Sequence, residues 1–167
     1  MLGRRTSRIL GLVAPLALAL GMGLTGPAQA AAPSQSHVTV RPSAVNYYGG
    51  SLQDQNTGRC IDDSGAYGLR AFSCNGLNYQ TWYATYFGSW FSLTNGNTGR
   101  CIDDSLAYGL RSFDCNLQSY QNWQIIAQYG DGSQVLQNQN TGRCIDDSGA
   151  YGLRSFPCNY QSYQRWY

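Results

Sequence analysis

The chain has 167 residues, room for one domain and a short extra segment. It contains no Lys and no Glu, so its formal charge of +2 is set by Arg and Asp alone, and Gly (20) and Tyr (13) are abundant. Low charge, many aromatics and frequent Gly point to a turn-rich all-β protein and away from a helical one.

Residues 1–30 read as a signal peptide. Arg4, Arg5 and Arg8 form a basic start, residues 9–24 are mostly apolar, and Ala28-Gln29-Ala30 fits the small-x-small cleavage pattern. The apolar run is broken by Pro15 and several glycines and falls short of the roughly 20 residues a spanning helix needs. Cleavage and secretion by the general route are expected, with no membrane insertion afterwards. Removing this segment leaves eight Arg against nine Asp, a formal charge of −1. No basic cluster remains to neutralise a phosphate backbone, which argues against nucleic acid as a partner. Residues 31–46, rich in Pro, Ser and Ala, read as a flexible lead-in. The one histidine, His37, lies there and reads as a solvated linker residue.

From residue 47 the chain repeats itself, over about 47–88, 89–130 and 131–167. The stretch from Thr57 to Asn75 returns as Thr98–Asn116 and as Thr141–Asn159, with 16 of its 19 positions identical in all three copies. Each copy is followed by Tyr-Gln-x-Trp, ending at Trp82, Trp123 or Trp166. Such a chain builds one supersecondary unit three times. Each unit opens with a short strand around Leu52, Leu93 or Leu136. A turn follows at Asn56, Asn97 or Asn140, where the Gly of Asn-Thr-Gly takes positive φ. Arg-Cys-Ile-Asp is a strand with Ile61, Ile102 and Ile145 inward. Asp-Asp-Ser-x-Ala-Tyr-Gly is expected as a loop, and Leu-Arg-x-Phe-x-Cys as a half-buried strand with Arg70, Phe72 and Cys74 on one face. Longer strands are expected over 82–91 and 123–129. No stretch after residue 30 has the period of an amphipathic helix.

Six cysteines in an exported small domain imply disulfides. Cys60 and Cys74, Cys101 and Cys115, and Cys144 and Cys158 are each 14 apart. Pairing within each copy is the arrangement consistent with the repeat. Each bridge would add roughly 3 kcal/mol in the chain-entropy account. The rival reading, a metal site, lacks zinc spacing and a nearby His; neither a metal nor an organic cofactor is expected. Three units of about 40 residues cannot each bury a core alone. Closed around a pseudo-threefold axis they share one, and the predicted fold is an all-β β-trefoil.

Gln80-Thr81-Trp82, Gln121-Asn122-Trp123 and Gln164-Arg165-Trp166 are similar to the Q-x-W repeats of ricin-type lectin domains. The likeness covers essentially all of 48–167. With a short inter-cysteine loop, Thr-Gly-Arg-Cys-x-Asp and Cys-Asn-x-x-x-Tyr-Gln-x-Trp, the chain most resembles the actinohivin-like bacterial lectins, which bind high-mannose glycans. The resemblance implies that Asp62, Asp103 and Asp146 are sugar ligands, since a carboxylate accepts charge-assisted bonds from adjacent hydroxyls. Turn formation is the other reading, and it suits Asp63, Asp104 and Asp147 better. Asn75, Asn116 and Asn159 are read either as amide ligands or as turn residues. On the same resemblance Tyr79, Tyr120 and Tyr163 belong to the pocket. Phe72, Phe113 and Phe156, with Tyr67, Tyr108 and Tyr151, are read as an apolar wall for a pyranose ring or as core. One departure from the resembled pattern is Arg70, Arg111 and Arg154, which stand where it has a pocket Tyr. They are read as partners of the neighbouring Asp or as readers of an acidic sugar. The Q-x-W glutamines and tryptophans are framework.

An enzyme is not expected. Glycosidases set two carboxyl groups across one bond, whereas Asp62 and Asp63 are adjacent on an extended segment and point apart. Every candidate also occurs three times, which suits multivalent binding of oligosaccharides or glycoconjugates. The competing class is a protein-binding trefoil, such as a protease inhibitor, acting through one unique loop.

Overall fold

The computed structural model describes residues 48–167. The expectations for the signal peptide and the lead-in, His37 included, lie outside the described residues. Within them the fold is the β-trefoil expected from the repeat. The first repeat contributes β1 (Tyr48–Gly50), β2 (Arg59–Ser64), β3 (Gly68–Ser73) and β4 (Trp82–Phe87). The second contributes β5 (Trp90–Asn95), β6 (Cys101–Ser105), β7 (Gly109–Phe113) and β8 (Trp123–Gln128). The third contributes β9 (Gln134–Asn138), β10 (Arg143–Ser148) and β11 (Gly152–Pro157). Its fourth position is taken by Trp166, which bridges Asp54 on one side and Gln134 on the other. A single 3-10 turn precedes each Q-x-W tryptophan.

Two stretches differ from expectation. The Asp-Asp-Ser triplets are strand, not loop: they form the ends of β2, β6 and β10 and pair with the following strand down to Ser64↔Gly68, Ser105↔Gly109 and Ser148↔Gly152. The connection is therefore a tight hairpin, closed by Gly68, Gly109 and Gly152 at φ of 68–70°, a region an L side chain enters only at a cost. The apolar run over 82–91 is two strands. Gly88 at φ 70° turns the chain, and Trp82↔Asn95 through Phe87↔Trp90 form a second kind of hairpin.

The core is written once per repeat. Ile61, Ile102 and Ile145 are fully buried with Trp82, Trp123 and Trp166, and Leu93, Leu136, Phe91 and Ala84 complete the cluster. Burying indole would orphan its N–H. Each Trp Nε1 instead donates to the carbonyl of the same repeat's Ile, at 2.9, 3.0 and 3.1 Å. Three disulfides, Cys60–Cys74, Cys101–Cys115 and Cys144–Cys158, close within the repeats.

What joins one repeat to the next is a buried ion pair. Asp63, Asp104 and Asp147 are 0% exposed, and the expectation that they are local turn residues is corrected. Asp63 accepts from Arg100 Nε (3.1 Å) and Nη2 (2.6 Å) in the second repeat. Asp104 accepts from Arg143 in the third, and Asp147 from Arg59 in the first, at 3.0 and 2.5 Å. Thr98, Thr141 and Thr57 add a hydroxyl to each carboxylate. Ser112 donates a further bond to Asp63 (2.7 Å) and Ser155 to Asp104 (2.6 Å). The equivalent residue for Asp147 is Ala71, which has no hydroxyl. A buried carboxylate is tolerated only when paired and hydrogen-bonded on its remaining lone pairs.

A second break in symmetry lies at the Asn-Thr-Gly turn. Asn95 and Asn138 cap this turn with Oδ1 while Nδ2 donates to the carbonyls of Tyr79 and Tyr120, at 2.9 and 2.8 Å. The first repeat has Asp54 instead. Its Oδ1 caps the turn in the same way, but Oδ2 is buried with no hydrogen-bond partner. By the repeat, the carbonyl it replaces an amide for is that of Tyr163. Burial pushes the Asp54 carboxyl up to about 6, against the opposing pull of Thr57.

Two outcomes follow for stability. Ala71→Ser should supply the missing hydroxyl and stabilise by about 0.5–1.5 kcal/mol, whereas Asp63→Ala, which strands Arg100, should destabilise by about 3–5 kcal/mol; denaturant midpoints of the two variants check both. Asp54→Asn should restore the amide bond and stabilise by about 1–3 kcal/mol at neutral pH. Because the folded state holds the Asp54 proton more tightly than the unfolded chain, wild type should lose stability relative to Asp54→Asn as pH rises from 3.8 through about 6. Thermal melts of both proteins across that window would disprove this if they stayed parallel.

Candidate functional site: an arginine held between two rings

The hairpins β2–β3, β6–β7 and β10–β11 share one register, which sets Asp62 opposite Arg70, Asp103 opposite Arg111 and Asp146 opposite Arg154. Cross-strand neighbours of opposite charge lie within reach of each other, and here they pair. Arg70 Nε donates to Asp62 Oδ1 at 3.1 Å, and the two other repeats give 3.0 Å. The other carboxylate oxygen accepts from Gln80 Nε2 (3.2 Å), Gln121 (3.3 Å) or Gln164 (3.1 Å). The Q-x-W glutamine thus reaches three partners. Gln80 Nε2 also donates to Ser73 O at 3.0 Å, and its Oε1 accepts from Asn75 N at 2.8 Å. A side-chain amide buried in this way needs its donor and acceptor both used.

Asp62, Asp103 and Asp146 are 0% exposed. Their oxygens lie beneath the arginine and the glutamine instead of at the surface. The surface is made by the guanidinium and its neighbours. Arg70 Cζ lies 4.5 Å from the centroid of Tyr67 and 4.3 Å from that of Phe72. Arg111 stands the same way between Tyr108 and Phe113, and Arg154 between Tyr151 and Phe156. The alternation of β3 puts Phe72 on the same face as Arg70, and the tight turn brings Tyr67 within reach of the same guanidinium. The phenylalanines are exposed at 38–43% and are not core; the tyrosines are exposed at 71–72%.

Asn75, Asn116 and Asn159 each bend the following chain. Oδ1 accepts from the backbone N–H two residues on, at 3.0, 3.0 and 3.1 Å. The next residue takes positive φ in every copy, as Gly76, Leu117 and Tyr160. The turn reading therefore accounts for the amide oxygen and leaves the amide nitrogen over. Tyr79, Tyr120 and Tyr163 are half-buried, and the first two offer their carbonyls to Asn95 and Asn138. Sequence reasoning passed over the contact of Gln80 with Asp62. Its signal was a polar residue fixed beside a buried Trp, which must find partners inside. A separate apolar hollow, lined by Leu52, Trp82, Ala84, Phe91, Leu136 and Tyr167 among others, includes none of the arginine, aspartate or ring residues of the hairpins.

Three hairpins that each place an arginine and two rings above a buried carboxylate, on a threefold barrel, define a β-trefoil with one site-like arrangement per repeat. Residues 48–166 match the model of the ricin-type beta-trefoil lectin domain, and the chain belongs to that family. The family's domain is a carbohydrate-binding module, typically without catalytic activity. No curated protein matches the sequence significantly. Among solved structures, the chain is similar to a designed threefold-symmetric protein, ThreeFoil (TM-score 0.63, 18% identity, 71% of this chain and 95% of that one). It is similar also to the hemolytic lectin CEL-III (TM-score 0.60, 20% identity, 71% of this chain and 29% of that one). A third is 1,3Gal43A, an exo-beta-1,3-galactanase from Clostridium thermocellum (TM-score 0.62, 21% identity, 72% of this chain and 29% of that one). At these identities the likeness is one of fold.

Gln121→Ala should strip a partner from Asp103, from the Asp114 carbonyl and from the Asn116 N–H at once. A loss of about 2–3 kcal/mol is expected, read as a lowered denaturant midpoint with unchanged far-UV circular dichroism.

Proposed function

We propose that the chain is a secreted, multivalent lectin that binds glycans through three equivalent sites, one on each hairpin. In this reading residues 1–30 direct export and are removed. The observation that carries it is the threefold recurrence of one set: Asp62, Arg70, Tyr67, Phe72 and Asn75, with their counterparts in the second and third repeats. Rings supply the face on which the C–H surface of a pyranose stacks, and the guanidinium and amide supply donors for its oxygens. Tyr79, Tyr120 and Tyr163 are taken into the set on the resemblance alone. The buried Asp acts mainly by aiming the Arg. Three weak sites of this kind gain by factors on the order of 10²–10⁴ when the target spans them.

The likeness to actinohivin-like lectins suggests mannose-type glycans. Arg70, Arg111 and Arg154 replace a tyrosine of that pattern, so the sugar is set by a different donor group here.

A glycan array probed with the full chain, beside an Asp62/Asp103/Asp146→Asn variant, tests the reading. Wild type should bind and the variant should fall by tenfold or more. Single substitutions at Asp62, Asp103 and Asp146 should lower avidity stepwise. Complete loss from any one of them would instead support a protein-binding trefoil acting through a single loop.

A further inference from the structure

The described residues contain six Arg–Asp pairs of two kinds. Arg59, Arg100 and Arg143 engage their carboxylates with both Nε and Nη2 and are consumed by the joints between repeats. Arg70, Arg111 and Arg154 engage theirs with Nε alone. Among the described residues their Nη1 and Nη2 have no hydrogen-bond partner. The end of each guanidinium opposite its aspartate is therefore left with unused donors on a partly exposed side chain. The side chains are 29–31% exposed, tied to the aspartate through Nε and packed against two rings, so the fork is pre-aimed and has little rotamer freedom left to lose.

An inventory of the rest of the site sharpens this. Each side-chain acceptor of the set, the tyrosine hydroxyl aside, already carries at least one bond, and the carboxylate is buried besides. Asp62 uses Oδ1 on Arg70 and Oδ2 on Gln80; Gln80 uses Oε1 on Asn75 N; Asn75 uses Oδ1 on Leu77 N. Within the set of Asp62, Tyr67, Arg70, Phe72 and Asn75, the groups that make no hydrogen bond, apart from the tyrosine hydroxyl, are donors: the guanidinium end and the Asn75 Nδ2; Asn75 Oδ1 keeps one lone pair. A neutral hydroxyl both donates and accepts, so a face rich in donors uses only part of what it offers. A carboxylate only accepts, and it matches a guanidinium end-on with two parallel bonds.

Building on the lectin reading above, we infer that the three sites take carboxylate-bearing sugar residues, the acid group seated on the free end of Arg70, Arg111 or Arg154 and the ring packed on Tyr67, Tyr108 or Tyr151. Asp62, Asp103 and Asp146 are positioning residues in this arrangement. They neutralise the fork from behind, so recognition depends on fork geometry more than on net positive charge. The described chain holds seven Arg against nine Asp, which offers no general attraction for polyanions.

The test is calorimetric titration of the full-length oxidised protein with an oligosaccharide ending in a uronic or sialic acid. It is repeated with the same oligosaccharide after reduction of its carboxyl to the primary alcohol. The acid form should bind at least about tenfold more tightly, a difference of about 1.4 kcal/mol. Its binding should fade as pH drops below the sugar carboxyl's own range near 3–4. Arg70/Arg111/Arg154→Lys keeps the charge and loses the fork, and should abolish the preference for the acid form. Tyr67/Tyr108/Tyr151→Ala touches only well-exposed rings, and should weaken both forms without unfolding the protein. Equal binding of acid and alcohol forms, or an undiminished preference in the Lys variant, would overturn the carboxylate assignment and leave the lectin reading standing. Absence of binding to any glycan, with or without capture of a free acidic peptide, would overturn both.

Discussion

The fold depends on a cyclic set of buried ion pairs. Each repeat lends an aspartate forward and accepts one from behind: Asp63 to Arg100, Asp104 to Arg143, Asp147 to Arg59. None of the three carboxylates has access to water, so each is stable only while its neighbour is docked. Apolar burial of Ile61, Trp82 and their equivalents supplies most of the driving force, but that force has no direction. The arginine fork fixes the angle and register at which one repeat meets the next. The ring closes because the third repeat returns its aspartate to the first.

The same logic gives two adjacent residues different partners. Asp62 and Asp63 are consecutive on β2, so their side chains leave the strand on opposite sides. Asp63 turns to the next repeat. Asp62 turns to its own hairpin partner and holds Arg70 from beneath. The Q-x-W glutamine binds the second oxygen of Asp62, and the tryptophan two residues later fastens to the Ile61 carbonyl. Asp62 is therefore bolted to the core through two consecutive links, and the rings of Tyr67 and Phe72 pack against the guanidinium. Asp62, Arg70 and Phe72 sit on strands and Tyr67 in the tight turn between them, so the arrangement's geometry is carried by the barrel.

Much of this was legible in the residues. The repeat announced three units, the paired cysteines announced their bridges, and the apolar alternation around Ile61 and Leu69 placed the strands. The rings beside Arg70 could be named, though not their sandwich around it. The role of Asp63 was not legible, because its partner lies 37 residues away in another repeat and no local spacing marks it. The Asp-Asp-Ser triplet looked like turn chemistry, since Asp and Ser favour turns by bonding their own backbone; ion pairing across the repeats instead draws it into a strand. Asp54 escaped notice for a related reason. It falls outside the 19-residue stretch, and its contrast with Asn95 and Asn138 acquires meaning only when the carbonyls of Tyr79 and Tyr120 are seen facing those amides.

The head-to-tail sense of the aspartate–arginine joints also bears on how a single unit would behave if it were cut free. One repeat by itself presents a bare carboxylate on one flank and a bare guanidinium on the other, so every copy is the complement of every other copy. An interface of that kind generates rings when the rotation closes and open chains when it does not. Covalent linkage of three units in one polypeptide enforces closure at three, and it keeps these sticky flanks from ever being offered to a stranger.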